Sequence, residues 1–371
     1  MPQSSVAVPR KQNSKPPDLS RNVAELVTVT NSIITNIQGQ SDVNEALTKR
    51  LLALEDRISQ METRIRTAAA AGSGSSATRT TAQLALPPAA AQPAAASPAP
   101  TNLTALVQRA ALGQNVNKSI YLGDHLALAQ VLDRFKMYVD TRDIGIAPHL
   151  LFGGHWEMWI TKLFCELLRP AMTVVDVGAN FGYYTLLAAA GTRLDQHVHA
   201  IEADPHNFEI LNKNVEVNGY EKIVRTYPCA ALDVRREVTL HQYRNHFGSN
   251  GIFSDPADPR IAHSVQVQGI PLDELITDTV DLMKIDAEGC EPLIFDGMQQ
   301  LIRRSPNIQI LMEFAPHMIR TTIDPAEFLN RIRHAGLRVQ GVSYESKLET
   351  WPDERLLAPE IHTIHLSRGV N

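Results

Sequence analysis

The sequence predicts an α/β fold: a mostly parallel sheet with helices on both faces, preceded by a coiled-coil helix and a flexible linker. Three observations carry this. Apolar strand-like runs alternate with helical stretches from Thr173 onward, an apolar seam with steps of three and four runs from Val23 to Ile65, and an Ala/Pro/Ser/Gly-biased segment separates the two. The bulk numbers exclude more than they name. With 35 basic and 40 acidic side chains the 371-residue chain carries a formal charge of −5, which gives no overall pull toward nucleic acid or an anionic membrane. Cys165, Cys229 and Cys290 are odd in number and lack zinc or redox spacing, so they read as small core residues in a reducing compartment. No run reaches the ~20 apolar residues of a membrane span. The opening MPQSSVAVPRKQNSKPP has no apolar signal-peptide core, so the expected location is cytoplasmic.

Residues 1–20 are rich in Pro, Ser and Lys/Arg and are expected to be disordered. Residues 21–66 carry the seam Val23, Leu26, Thr30, Ile33, Ile37, Gln40, Asn44, Leu47, Leu51, Leu54, Ile58, Met61 and Ile65, a coiled-coil oligomerisation helix. Arg50 and Arg57 fall at g and Glu55 and Glu62 at the following e positions, which suits parallel strands. Asn44 at an a position favours a parallel homodimer, with a trimer or a single amphipathic helix as alternatives. Residues 67–101 form an Ala/Pro-rich tether. Residues 102–371 read as the catalytic unit, with 102–168 a helical lead-in and 169–371 the core. The lead-in has a short helix near Asn102–Leu112, a strand-like SIYLG, a helix around Asp124–Phe135 and another around His155–Leu168. In the core, TVVDVG, HVHAIEA, IVRTYPCAALD, VDLMKIDAEG, IQILMEF and RVQGVS read as buried strands. VTLHQY and VQVQGIPL read as an added antiparallel pair, and IHTIHLS as a closing edge strand.

The strongest site signal is the run from Val174 to Thr185, an apolar strand entering a glycine turn and then a helix. Gly178 and Gly182 let backbone approach a ligand at the carboxyl end of that strand. Glu202 ends the next strand, where an acid accepts hydrogen bonds from ribose hydroxyls. The turn Gly178-Ala179-Asn180-Phe181-Gly182 lacks the G-x-G-x-x-G that seats a pyrophosphate, which favours a nucleoside cofactor without phosphates. S-adenosylmethionine fits, with Asp176 either a nearby carboxylate or a cap of the turn. A second constellation, Asp281 to Glu291, delivers Lys284, Asp286, Glu288 and Glu291 to the same edge. These residues flank a methyl donor and acceptor, or else Lys284 pairs with Asp286 or Glu313 for stability alone.

VVDVGANFGYYT, AIEADP with LNKNVEVNG, the FGSN turn, PLDEL, MKIDAEGCEPLIFDGM and ILMEFAP together resemble the FkbM-type S-adenosylmethionine-dependent methyltransferase family, from about His155 to the C-terminus. The resemblance implies a Rossmann-like class I methyltransferase fold with a mostly parallel seven-stranded sheet and S-adenosylmethionine as cofactor. It also implies O-methylation of polyketides or sugars. It makes Asp176, Gly178, Asn180, Gly182 and Glu202 cofactor contacts, with Ala231 and Leu232 near adenine. Lys284, Asp286, Glu288 and Glu291 then form the active-site strand end. Displacement on a sulfonium methyl needs alignment and removal of a hydroxyl proton, for which Asp286, Glu288, His155 and His317 are candidates. His155 lies in GGHWEMW, where Trp156 and Trp159 are placed to face a sugar ring. Asp286, Glu288 and Glu313 offer oxygen ligands, but no histidine or cysteine spacing accompanies them, so no metal is expected. The expected acceptor is a hydroxyl on a sugar or glycoconjugate. The alternatives are a polyketide, lipid or nitrogen acceptor, or an inactive coiled-coil scaffold, against which the intact Gly178, Gly182, Glu202 and Asp286 count.

Overall fold

A computed structural model describes residues 103–115, 118–192, 195 and 197–368. The expected disordered opening (1–20), coiled-coil helix (21–66) and tether (67–101) lie outside the described residues.

Helix α1 (Leu103–Ala111) buries Val107 and Ala110. Strands β1 (Ser119–Gly123), β2 (Leu126–Val131) and β3 (Phe135–Asp140) then make a three-stranded antiparallel sheet, in place of the helix expected around Asp124–Phe135. The lead-in is therefore not all helical. LALAQV alternates, burying Ala127, Ala129 and Val131 and leaving the residues between them half-buried. The connections Asp124-His125 and Leu132-Asp133 have positive φ at both residues, 48° and 63°, then 50° and 54°, as tight hairpin turns require. Neither pair has the Asn-Gly or Asp-Gly chemistry that announces such turns, and the Leu/Ala composition suits a helix.

After a wide helical turn at His149–Gly153, helix α2 (Met158–Leu167) leads to the alternating core. Its first half is β4 (Val174–Val177), α3 (Tyr183–Thr192), β5 (Val198–Ile201), α4 (Pro205–Val217) and β6 (Val224–Tyr227). A small sheet follows, of order β7-β9-β8, made by β7 (Ala230–Ala231), β8 (Arg236–Tyr243) and β9 (Ile261–Ile270). The run IVRTYPCAALD is thus two strands in two sheets, broken at Pro228, which has no N–H to continue a ladder. Next come α5 (Leu272–Leu275), β10 (Leu282–Ile285), α6 (Glu291–Asp296), α7 (Gln299–Arg304), β11 (Gln309–Phe314), α8 (Pro316–Ile319) and α9 (Pro325–His334). The end is β12 (Leu337–Val342), β13 (Leu348–Glu349), α10 (Asp353–Leu356) and β14 (His362–Arg368).

The main sheet has eight strands in the order β13-β12-β14-β11-β10-β4-β5-β6; the strand beyond the expected seven is the two-residue β13. Neighbours from β11 to β6 are parallel. IHTIHLS is not an edge strand: β14 inserts antiparallel between β11 and β12. Its polar residues suggest an edge, but Ile364, His365 and Leu366 are all buried, and His365 Nε2 lies 3.3 Å from Gln309 Oε1 on β11.

Two apolar cores cover the sheet, one per face, and the strands serve both by alternation. Val174, Leu282 and Leu311 pack in one core, while Val175, Met283, Ile310 and Met312 pack in the other. From β4 the chain runs outward to β5 and β6, whereas β10 lies on the other side of β4. The loops leaving these carboxyl ends diverge and open a crevice at that switch point. No helix among the described residues is long and apolar enough to cross a membrane.

Candidate functional site

The turn after β4 is held by its neighbours on both sides. The N–H groups of Gly178 and Ala179 both donate to the Ile201 carbonyl at 3.0 Å. Gly178 has φ +74°, and a Cβ there would lie 1.8 Å from the Asp286 carbonyl oxygen, so only glycine lets the turn press against the end of β10. Asn180, itself at φ +49°, donates its N–H to Glu202 Oε2 at 2.7 Å, and Asp204 donates its N–H to Oε1 at 2.8 Å. Glu202 is buried at the end of β5, and burial pushes its pKa up to about 7 against these two bonds.

Gly178, Asn180, Glu202, Ala231, Asn250 and Glu288 are among the residues lining one cleft at this edge. Three residues expected to touch a cofactor stand behind its wall. Asp176 is buried and accepts the Thr185 hydroxyl at 2.6 Å. Burial raises its pKa, and the β4–β10 register sets it beside Lys284. At Gly182 a Cβ would meet Leu211 Cδ1 at 2.6 Å, so this glycine serves the packing of α3 on α4. Leu232 is fully buried in the small core under the β7-β9-β8 sheet.

Asp204 has a role that the sequence reading passed over. It caps α4, accepting N–H bonds from His206 at 2.8 Å and Asn207 at 2.9 Å, with Pro205 in the first turn. Its other oxygen accepts Asn250 Nδ2 at 3.0 Å, which ties the FGSN turn to the cleft. The Asp-Pro pair in AIEADP is the signal that announces such a cap.

At the end of β10, Lys284 is only 6% exposed and its Nζ lies 2.6 Å from Asp286 Oδ2 and 4.7 Å over the Tyr184 ring. Burial disfavours the ammonium, but Asp286, Glu157 and Asp176 outweigh it and hold its pKa above the ordinary value. Glu157 was not foreseen. It sits at φ +35° just before α2 and accepts the Tyr184 hydroxyl at 3.2 Å. Burial raises its pKa, and Lys284 opposes the rise. Burial, with Asp286 and Glu291 nearby, pushes Glu288 up to about 8. Burial also lifts Glu291 to about 7, while its Oε1 accepts the Ala287 N–H at 3.0 Å. Glu313 is raised well above the ordinary carboxyl range by burial and by Asp286, Glu288 and Glu291.

These side chains divide three cavities. Asp286 borders both the cleft of Glu202 and a second cleft of 470 Å³ that contains Glu157, Trp159 and Glu313. Glu288 borders the first cleft and an open cleft of 810 Å³ that contains His317. His155 and Trp156 line none of the three; Trp156 instead packs edge-on against His149, with centroids 4.9 Å apart. Among the described residues no group of three or more His, Cys, Asp or Glu side chains is arranged to hold a metal ion.

No curated protein matches the chain. Among solved structures it is similar to a methyltransferase FkbM from Methylobacillus flagellatus KT, at 13% identity and a TM-score of 0.35, over 57% of this chain and 54% of that one. The chain thus spans about half the length of that protein. It is also similar to a precorrin-6y C5,15-methyltransferase from Geobacter metallireducens GS-15, at 13% identity, TM-score 0.33, and 57% and 88% coverage. A Streptococcus mutans protein in complex with SAH matches at 6% identity, TM-score 0.35, and 56% and 94% coverage. By sequence, residues 176–339 match the family described as the methyltransferase FkbM domain. The matched residues span the glycine turn, Glu202 and the acid-rich end of β10.

Proposed function

We propose that this chain moves a methyl group from S-adenosylmethionine to a hydroxyl oxygen of a sugar or glycoconjugate. The single observation that carries the reading is the position of Glu288, on the wall shared by the first cleft and the open 810 Å³ cleft, with a pKa pushed up to about 8. The residues of the first cleft fit the cofactor. Glu202 keeps free lone pairs beyond its two backbone bonds, and Ala231 and Gly178 line the same cleft. Bound there, S-adenosylmethionine supplies an electrophilic methyl carried on a sulfonium.

The protein's own residues do the rest. Glu202 accepts the ribose hydroxyls, and Ala231 gives the adenine an apolar wall. Asp286 is fixed by Lys284 and aligns the acceptor, while Glu288 in its ionised form takes the proton that the hydroxyl loses. A carboxyl with a pKa near 8 is a stronger base than an ordinary one and is ionised in a growing fraction as pH rises through neutrality. The rate therefore rises with pH up to about that pKa.

Two measurements test the assignment. Glu202→Ala is expected to weaken S-adenosylmethionine binding by about 10- to 100-fold in calorimetric titration, the scale of one or two hydrogen bonds to a charged group. NAD is expected not to bind. Unchanged affinity in the variant would remove Glu202 from the site. Glu288→Gln is expected to lower kcat by at least about 10²-fold in transfer of labelled methyl to a panel of hydroxylated sugars, and to flatten the pH profile between 7 and 9. A variant that keeps the wild-type rate and profile would leave the base elsewhere.

A further inference from the structure

The 470 Å³ cleft beside Asp286 has features that methyl transfer to a single small acceptor does not use. Its volume lies within the range of about 300–1,000 Å³ typical of small-molecule sites. Tyr344, 69% exposed, forms part of its wall and stands edge-on to Trp159 with ring centroids 5.0 Å apart. Two buried polar atoms on its lining side chains, Glu313 Oε2 and His362 Nε2, make no hydrogen bond. The oxygen of Glu360 nearest to that nitrogen is 3.9 Å away. The β11–β14 register sets Thr363 opposite Glu313 and His362 opposite Phe314, so the two groups enter the cleft from one edge of the sheet, at the carboxyl end of β11 and the start of the antiparallel β14.

We propose that this cleft binds a second, uncharged sugar ring, so that the acceptor is an oligosaccharide of at least two rings. The proposal rests on the sugar O-methylation reading above. Burial and neighbouring carboxylates raise the pKa of Glu313, and burial lowers that of His362, which favours the neutral form of each; a neutral carboxyl donates and accepts, and Nε2 of a neutral imidazole does one or the other. Sugar hydroxyls match that pattern, and the C–H face of a ring suits an exposed tyrosine. An anionic ring is disfavoured. Glu157, Asp286 and Glu360 line the cleft, Lys284 is engaged by Asp286, and Arg355 lies 3.7 Å over the Trp351 ring. The cleft and the open cavity at Glu288 also share one wall residue, the exposed Ile361, so the two lie side by side.

The test uses the full chain and neutral gluco-, manno-, galacto- and N-acetylglucosamine oligosaccharides of one to four rings. In methyl transfer, kcat/KM is expected to rise at least tenfold from one ring to two in the series that is methylated. Tyr344→Ala should erase that gain, and Tyr344→Phe, which keeps the ring, should restore it. Equal kcat/KM for one and two rings, or a gain that survives Tyr344→Ala, overturns the proposal. Tryptophan fluorescence titration without cofactor separates it from the function it rests on, because Trp159 and Trp351 line the cleft. If no sugar is methylated but two-ring ligands shift the fluorescence, and Tyr344→Ala abolishes the shift, the second-ring site stands and the methylation reading fails. Absence of any fluorescence shift across the panel overturns the site.

Discussion

Replacing Lys284 by methionine is expected to destabilise the folded chain by about 3–5 kcal/mol at pH 8, the cost of breaking a buried ion pair by removing one partner. Lys284 is the cation around which this edge of the sheet is organised. Its Nζ lies 2.6 Å from Asp286, and it also lowers the cost of keeping Glu157, Asp176, Glu288 and Glu313 among apolar neighbours. Methionine keeps the length of the stem, so the packing against Tyr184 survives and the loss reports charge rather than a cavity. The cost is expected to shrink toward pH 5, where the abandoned carboxyls take up protons instead of remaining buried and charged. Urea unfolding at the two pH values measures both effects. A variant as stable as the parent at pH 8 would show that the acids are already neutral there and that Lys284 is dispensable to the fold. The double change Lys284→Met/Asp286→Asn should recover a good part of the loss, since it removes the stranded partner as well.

This cluster also marks how far the sequence could be read. That Lys284 and Asp286 sit at a strand end is visible in LMKID, and the same run offers Asp286 as a partner for Lys284. The position of Asp176 was harder to see. Strand alternation puts it on the same face as Val174, toward α3, and parallel register brings it beside Lys284, but register is a tertiary fact. Glu157 reaches the cluster from a single residue at φ +35° in a loop, where no periodic pattern operates. The hairpin from β1 to β3 was missed for a related reason, because its turns use Asp-His and Leu-Asp at positive φ, a geometry imposed by the surrounding packing. In contrast, the glycine turn, Glu202 and the switch between β4 and β10 follow from local motifs and strand order, and these position the first cleft.

Stability is expected to fall as pH rises from about 5 to 8, the reverse of a chain whose carboxylates are paired with cations. Glu202, Glu288 and Glu291 titrate from an ordinary 4.5, but in the folded chain they hold their protons to about 7, 8 and 7. Above pH 4.5 the unfolded chain has lost protons that the folded chain keeps, so every further rise in pH favours unfolding. The stabilisation is fully present below 4.5 and is lost as pH passes through 7 to 8. Each group contributes at most about 1.4 kcal/mol per pH unit, and three together make a drop of several kcal/mol. His199 and His365 work in the opposite sense inside this window: burial lowers each imidazole from 6.5 to about 4, so below pH 6.5 they offset part of the drop. Asp140 works in that sense too. Burial raises its pKa, but hydrogen bonds from His206 and Arg142 more than offset this and hold it well below the ordinary value, so its contribution is lost only in strong acid, outside this window. Urea midpoints at pH 5, 6, 7 and 8 measure the slope, and a flat or rising profile would mean that these carboxyls ionise freely in the folded state. Glu291→Gln is the sharpest check, because Glu291 is fully buried, lines none of the three clefts and has one oxygen without a hydrogen-bond partner. A permanently neutral amide there should raise stability at pH 8, leave it near the parent's at pH 5, and lower the slope by one group's share.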